Sequence, residues 1–191
     1  ASELQNKGVL ANCHVNVIQT QDHQAFRSYQ EELTYLTTNT SRLQFISNLM
    51  EEIRSGGNAL ILVDRIKTGE LLKDLIPGSV FIQGKTKMEE RQEEYDEVAT
   101  EQYKVLIATY GVAAVGINLP RIFNLILVEP GKSFVRVIQS IGRGIRKAKD
   151  KDHVQIWDIT SSCKFSKRHL TTRKKFYKEA NYPYTINKVN I

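Results

Sequence analysis

The chain is poor in cysteine (2), tryptophan (1) and proline (4), and it has no long unbroken apolar run. Each scarcity removes a class of protein. Cys13 and Cys163 lie too far apart for a metal knuckle and are too few for a disulfide framework, which points to a reducing compartment. Without an apolar stretch of about 18 residues no membrane-spanning helix is expected. The opening residues carry no targeting pattern, so the expected location is the cytoplasm. His14, His23, His153 and His169 are scattered without metal-ligand spacing, and no metal site is expected among them. There is no internal repeat and no low-complexity tract.

What is present fits one ordinary globular domain with room for an extension: 191 residues, 41% of them hydrophobic. The formal charge of +6 is unevenly placed. Residues 161–191 hold eight Lys and Arg against Glu179 alone, while residues 1–160 are near neutrality. The basic excess belongs to the tail and asks for an anionic partner.

Short apolar runs alternate with helical stretches through the middle of the chain, which predicts an α/β fold with an open, mainly parallel sheet flanked by helices. Ala59–Val63, Val80–Ile82, Val105–Ala108, Phe123–Val128 and Val154–Ile156 read as strands, and Asn12–Thr20 as a further one. Their continuous Val/Ile/Leu character suits strands buried on both faces. Ser41–Arg54, Thr68–Leu75, Thr86–Thr100 and Phe134–Ile145 read as helices, with Asp22–Thr40 as a polar link into the domain. This divides the chain into a leading segment (1–40), the domain proper (41–160) and a basic helical extension (161–191). As a helix from Lys164 to Ala180, the extension puts Phe165, Leu170, Phe176, Tyr177 and Ala180 on an arc of about 140°. Lys164, Lys167, Arg168, Lys174, Lys175 and Lys178 fall on a separate arc of about 120°. The first face suits docking on the domain. The second suits phosphates met without reading sequence, or simply water.

Chemistry-bearing residues cluster where strands end. Gln139, Arg143 and Arg146, within Gln-Ser-Ile-Gly-Arg-Gly-Ile-Arg, fall within about 60° of one helix face. Two guanidiniums and an amide aimed together suit an anion such as a triphosphate. Gly142 and Gly144 each cost about 1 kcal/mol against alanine in a helix, which points to close backbone approach. Thr109 follows a strand and runs on to Gly116-Ile117-Asn118, a hydroxyl and amides suited to a phosphate oxygen. Arg65 follows another strand, and Gly84 and Lys85, with Arg91 beyond, follow a third. Each strand end has a plainer reading as a turn or cap; Thr86 and Glu89 have capping-box spacing.

These segments, in this order, resemble motifs IV, IVa, V and VI of superfamily 2 helicases. The resemblance implies a RecA-like second motor domain. Arg143 and Arg146 would be arginine fingers, and Gln139, Gly116 and Asn118 would approach the nucleotide. Thr109, Arg65, Gly84, Lys85 and Arg91 would touch nucleic-acid backbone, joined by Lys167, Arg168, Lys174 and Lys175 of the tail. Asn118 departs from the Asp of many relatives. Two apparent ATP motifs fail on the residues. Gly78–Thr86 ends in Gly-Lys-Thr, but five residues separate its glycines where a phosphate loop needs four. Asp96-Glu97-Val98-Ala99 lies in a charged helical pattern with no strand before it.

With no phosphate loop or metal-binding acid of its own, the chain is expected to be the C-terminal half of a two-domain ATP-driven enzyme and to be inactive alone. The metal ligands for ATP-bound Mg²⁺ would lie in an N-terminal RecA-like domain, its expected partner. Motif VI, Trp157-Asp158-Ile159-Thr160 and the basic tail resemble recombination and repair helicases of phages. That likeness implies branched DNA such as Holliday junctions, stalled forks and R-loops as substrates, with RNA–DNA hybrids included and the bacterial host cytoplasm as location. A nucleic-acid-binding module without ATPase role and an RNA-directed helicase stay open on the residues alone.

Overall fold

The computed structural model describes residues 13–83, 93, 103–114, 122–131, 134, 137–138 and 153–191. In chain order these contain β1 (Cys13–Thr20), α1 (Tyr29–Thr38), α2 (Thr40–Ile53), β2 (Ala59–Val63), α3 (Ile66–Leu75) and β3 (Val80–Ile82). There follow β4 (Val105–Thr109), α4 (Tyr110–Ala114), β5 (Asn124–Val128), β6 (Val154–Ser161), α5 (Lys164–Glu179) and β7 (Tyr184–Val189). The strands form one seven-stranded sheet in the order β3-β4-β2-β5-β6-β1-β7, and every pair is parallel. The architecture is α/β with an open parallel sheet, as the alternating pattern predicts.

Burial explains the strands. In β2 every residue is buried, and alternate side chains serve opposite faces: Leu60 and Leu62 pack toward Phe134, Leu170 and Tyr177, while Ile61 and Val63 pack toward Ile46, Met50 and Leu72. Helices α2 and α3 cover the second face, and α5 covers the first. Asn39 starts α2 by accepting from the Arg42 amide at 3.1 Å, and Ser28 starts α1 by accepting from Glu31 at 3.2 Å. Gly57 takes φ +132, and a Cβ there would lie 2.8 Å from the Phe123 ring, so the turn into β2 is built for glycine.

The structure departs from the sequence reading in three places. The polar stretch Asp22–Thr40 contains helix α1, whose buried side chains (Glu32, Leu33, Leu36, Thr37) include only two large apolar ones, too few for a clear helical period. Strand β6 runs five residues past Ile156, because Asp158, Thr160 and Ser161 are buried with hydrogen-bond partners supplied elsewhere. The extension adds a strand as well as a helix: β7 pairs with β1 as an edge strand whose side chains are mostly exposed. The predicted helix Thr86–Thr100 lies outside the described residues except for Glu93. So does Phe134–Ile145 apart from Phe134, Val137 and Ile138, which are buried.

Candidate nucleic-acid interface

Because the sheet is parallel throughout, all strand carboxyl ends share one edge, the place where open α/β sheets bind ligands. The edge gathers Thr20–Asp22 after β1, Asp64-Arg65 after β2, Thr109-Tyr110 at β4, Glu129–Gly131 after β5 and Ser161–Cys163 at β6. Two clefts open there. One, of about 770 Å³, is lined by Tyr29, Asp64, Tyr110, Glu129, Phe165 and Arg168 among others. The other, of about 470 Å³, is lined by Asp22, Phe26, Lys164, Lys167, Arg168 and Thr171 among others. Arg168 belongs to both. A cleft of about 490 Å³ at the opposite edge, by Phe123, Asn124 and Trp157, holds none of the predicted site residues.

The described site residues occupy this edge. Thr109 Oγ1 accepts from the Val112 amide at 3.3 Å, so it caps α4 as the plain reading expected, and a hydroxyl can donate in addition. Arg65 is turned toward α1: it donates to Thr34 Oγ1 at 2.6 Å and Gln30 Oε1 at 3.2 Å, with Asp64 at 3.6 Å. Contact with phosphate would have to share a guanidinium already engaged. On α5, Lys167, Arg168 and Lys175 are exposed and Lys174 is half-buried. Leu170, Phe176, Tyr177 and Ala180 are buried, whereas Phe165 is half-buried at the mouth of the larger cleft. Gly84, Lys85, Arg91, Gly116, Asn118, Gln139, Arg143 and Arg146 lie outside the described residues.

Beneath the edge runs a buried polar network that the sequence reading missed. Arg42, 1% exposed, pairs with Glu129 and Asp22, donates to Thr20 Oγ1, and donates from Nε to the Leu36 carbonyl at 3.1 Å. Glu32, also 1% exposed, accepts from the Phe165 and Ser166 amides at 3.0 and 2.9 Å, so α1 supplies the N-terminal cap of α5. Ser166 Oγ lies 3.1 Å from Glu32 and 3.3 Å from Glu129. Arg173 is fully buried and donates to both Asp158 oxygens at 2.8 and 2.9 Å and to the Pro130 carbonyl at 2.6 Å. Tyr177 donates to Asp158 at 2.8 Å. One signal was readable: Arg42 continues the stripe Ile46, Leu49 and Ile53, and Arg173 continues Leu170 and Tyr177, so each charge stands on an apolar helix face.

Burial pushes the Glu129 carboxyl up to about 7, against the pull of Arg42, Arg173 and the Ser166 hydrogen bond. For Arg173 burial disfavours the charge, but Asp158 outweighs it and the pKa is raised. Burial, with Asp158 next, also holds the Tyr177 hydroxyl well above its ordinary value. Cys13 and Cys163 are free and buried, and burial takes the Cys13 thiol to about 12, so it is not a poised nucleophile. Among the described residues no group of three His, Cys, Asp or Glu side chains is placed to hold a metal ion. No described helix is long and apolar enough to cross a membrane.

Comparison with known proteins agrees with this architecture. The family described as helicase conserved C-terminal domain matches residues 41–148, more than half of the chain. The ATP-dependent DNA helicase UvsW of Enterobacteria phage T4 is 27% identical over 161 residues, which cover 82% of this chain and 32% of that protein. The chain thus spans about a third of the length of that protein. The crystal structure of T4 UvsW superposes with a TM-score of 0.81 at 21% identity, over 93% of this chain and 42% of the other. Dbp5 of S. cerevisiae, bound to RNA and ADP BeF3, gives 0.61 at 18% identity, over 97% and 44%.

Proposed function

The chain belongs to the helicase conserved C-terminal domain family of superfamily 2 and resembles UvsW, and from that premise we propose that it is the second motor domain of an ATP-dependent DNA helicase of recombination and repair. One observation carries the reading. The family match over residues 41–148 takes in Arg65, Thr109, Gly116, Asn118, Gln139, Arg143 and Arg146 in one collinear stretch, and the parallel sheet brings the described members of that set to a single edge.

Bound ATP supplies a phosphoryl group whose transfer concentrates negative charge on its oxygens. Arg143 and Arg146 neutralise that charge from across the interdomain cleft, a contribution of about 10³–10⁵ in rate for an arginine finger. Gln139, Gly116 and Asn118 orient the nucleotide, and the Mg²⁺ ligands and phosphate loop come from the N-terminal RecA-like domain. Thr109, with Gly84, Lys85 and Arg91, grips one strand of the DNA backbone, and Lys167, Arg168, Lys174 and Lys175 add contacts that do not read sequence. Closing and opening of the two domains then moves this domain along the strand. Branched DNA, including Holliday junctions, stalled forks and R-loops with their RNA–DNA hybrid, is the substrate class the likeness to UvsW favours.

The test is DNA-stimulated ATP hydrolysis by the two-domain enzyme and by this chain alone. Turnover is expected only in the former. There Arg146→Ala abolishes it while DNA affinity changes little. A large affinity loss with intact turnover would sink the arginine-finger assignment, and robust turnover by this chain alone would sink the two-domain reading.

A further inference from the structure

We propose that the larger cleft receives a single unpaired base of a bound nucleic-acid strand, stacked on Tyr29 and bounded by Phe165, with that nucleotide's phosphate on Arg168. The proposal rests on the nucleic-acid-binding reading above and names the part of the strand that this edge holds.

Large aromatic side chains usually complete a core, as Phe134 does against Phe176 and Tyr177 with ring centroids at 5.2 and 5.8 Å. Tyr29 and Phe165 do not. They stand half-buried on two different helices at the wall of a concave space, 6.3 Å apart and tilted by 54°. His169, also in the lining, packs on Tyr29 in a T-shaped contact with ring centroids 4.7 Å apart, which braces the ring at the cleft wall. The volume of about 770 Å³ falls in the ~300–1,000 Å³ range of small-molecule sites and exceeds what one planar base needs. Polar groups able to meet a base edge share the lining: the exposed Asp64 carboxylate, the Thr172 hydroxyl and the buried Glu129 carboxyl. Gly131, in the same lining, leaves room beside Tyr29, since a Cβ there would lie 3.2 Å from the Tyr29 hydroxyl.

Charge identifies the rest of the ligand. The Arg168 guanidinium and the Lys164 ammonium lie over the Phe165 ring, 5.7 and 5.5 Å from its centre, so Phe165 holds two cations at the cleft and the base stacks on Tyr29 beside it. Arg168 also lines the adjoining cleft with Lys164 and Lys167. An aromatic slot opening onto a separate basic cleft matches a polymer, with a base in the first and successive phosphates along the second. A free mononucleotide would leave the second cleft unused. A duplex would leave the first unused, because its base faces are already stacked.

The experiment is fluorescence-anisotropy binding of the whole chain to a single-stranded oligonucleotide and to the same backbone with abasic residues. Tyr29→Ala and Phe165→Ala should each weaken the ordinary strand roughly 5- to 150-fold and leave the abasic strand unchanged, while Tyr29→Trp keeps ordinary affinity. Equal loss on both strands, or none on either, overturns the proposal. Should both alanine variants misfold, photocrosslinking of a 5-iodouracil oligonucleotide to the unaltered chain decides: adducts on Tyr29 or Phe165 support it, and adducts confined elsewhere overturn it. AMP that erases the difference between the two strands would assign the cleft to a mononucleotide, also overturning it. A chain that binds neither strand refutes the nucleic-acid reading itself, whereas equal binding to both refutes only the base.

Discussion

Replacing Arg173 by methionine should destabilise this domain more than any substitution on the exposed face of α5, and the structure says by how much. Methionine keeps much of the side-chain stem and removes every donor. Asp158, fully buried, loses both guanidinium hydrogen bonds and keeps the Tyr177 hydroxyl at 2.8 Å; the Pro130 carbonyl loses its partner at 2.6 Å. Removing one side of a buried ion pair costs about 3–5 kcal/mol, because the remaining charge stays out of water without compensation. For a chain of this size that is a fall in Tm of roughly 6–20 °C. Urea melts give the free energy directly. They also allow a cycle in which Arg173→Met is combined with Asp158→Asn, where the uncharged amide should recover at least about 2 kcal/mol relative to the sum of the single changes. A cost below about 1 kcal/mol for Arg173→Met, or strict additivity in the double variant, would refute the claim that this pair is a desolvated charge cluster.

Glu129→Gln tests the second buried carboxylate. Its carboxyl holds a proton up to about pH 7 in the folded chain and only to about 4.5 in the unfolded one, so the folded state binds the extra proton between these values and stability falls as pH rises through the window. Relative to the glutamine variant, the unaltered chain should lose up to about 3 kcal/mol between pH 4.5 and 7, read by urea melts at both ends; parallel pH profiles would exclude it. Gly57→Ala should cost about 1–3 kcal/mol, since φ +132 disfavours any side chain and the new methyl meets Phe123, and an unchanged melt would contradict that turn. Lys167→Ala with Lys175→Ala should lower the slope of log affinity for single-stranded DNA against log salt by about 1.4, because each exposed lysine releases about 0.7 counterion; an unchanged slope would move the DNA off this face.

Legibility in the sequence followed the range over which each feature is determined. Strands β2 and β3 were readable residue for residue, since short apolar runs bounded by Gly56-Gly57 and Asp64, and by Pro77-Gly78 and Gln83-Gly84, need no distant information. Helix α5 was readable from its two arcs. The second half of β6 was not, because Asp158 is tolerated there only by Arg173 and Tyr177, which arrive from a later helix. The same pairing corrects the charge reading of the tail. Arg173 looked like one more cation for an anionic partner, yet its charge is spent inside on Asp158. Arg65 shows the converse: a strand-end arginine with the right position but with α1 as its partner. The aromatic wall was also hidden, since Tyr29 and Phe165 meet only through the packing of α1 against α5.

The buried charged groups gather toward the strand carboxyl ends, the edge proposed to bind nucleic acid, and their arrangement argues for positioning over stability. Two charged side chains tie helices to strands and a third ties helix to helix: Arg42 joins α2 to β1 and to Glu129, Arg173 joins α5 to β6 and to Pro130, and Glu32 joins α1 to the start of α5. Apolar residues of similar volume commonly stabilise as well as a buried pair or better, so stability alone gives no reason for charge here. Apolar packing tolerates small slides, whereas bidentate and charge-assisted hydrogen bonds fix distance and direction. The segment Glu129–Gly131 is gripped by Arg42 at the Glu129 side chain and by Arg173 at the Pro130 carbonyl. Glu129 adopts φ 46, a left-handed conformation that costs about 1–2 kcal/mol for such a residue and persists because both neighbours enforce it. In sequence this segment leads straight to Phe134 and on to Gln139, Arg143 and Arg146. If Arg143 and Arg146 act on a phosphate as proposed above, the root of the segment that leads to them has to be fixed, and the two buried guanidiniums on either side of Glu129–Gly131 do so.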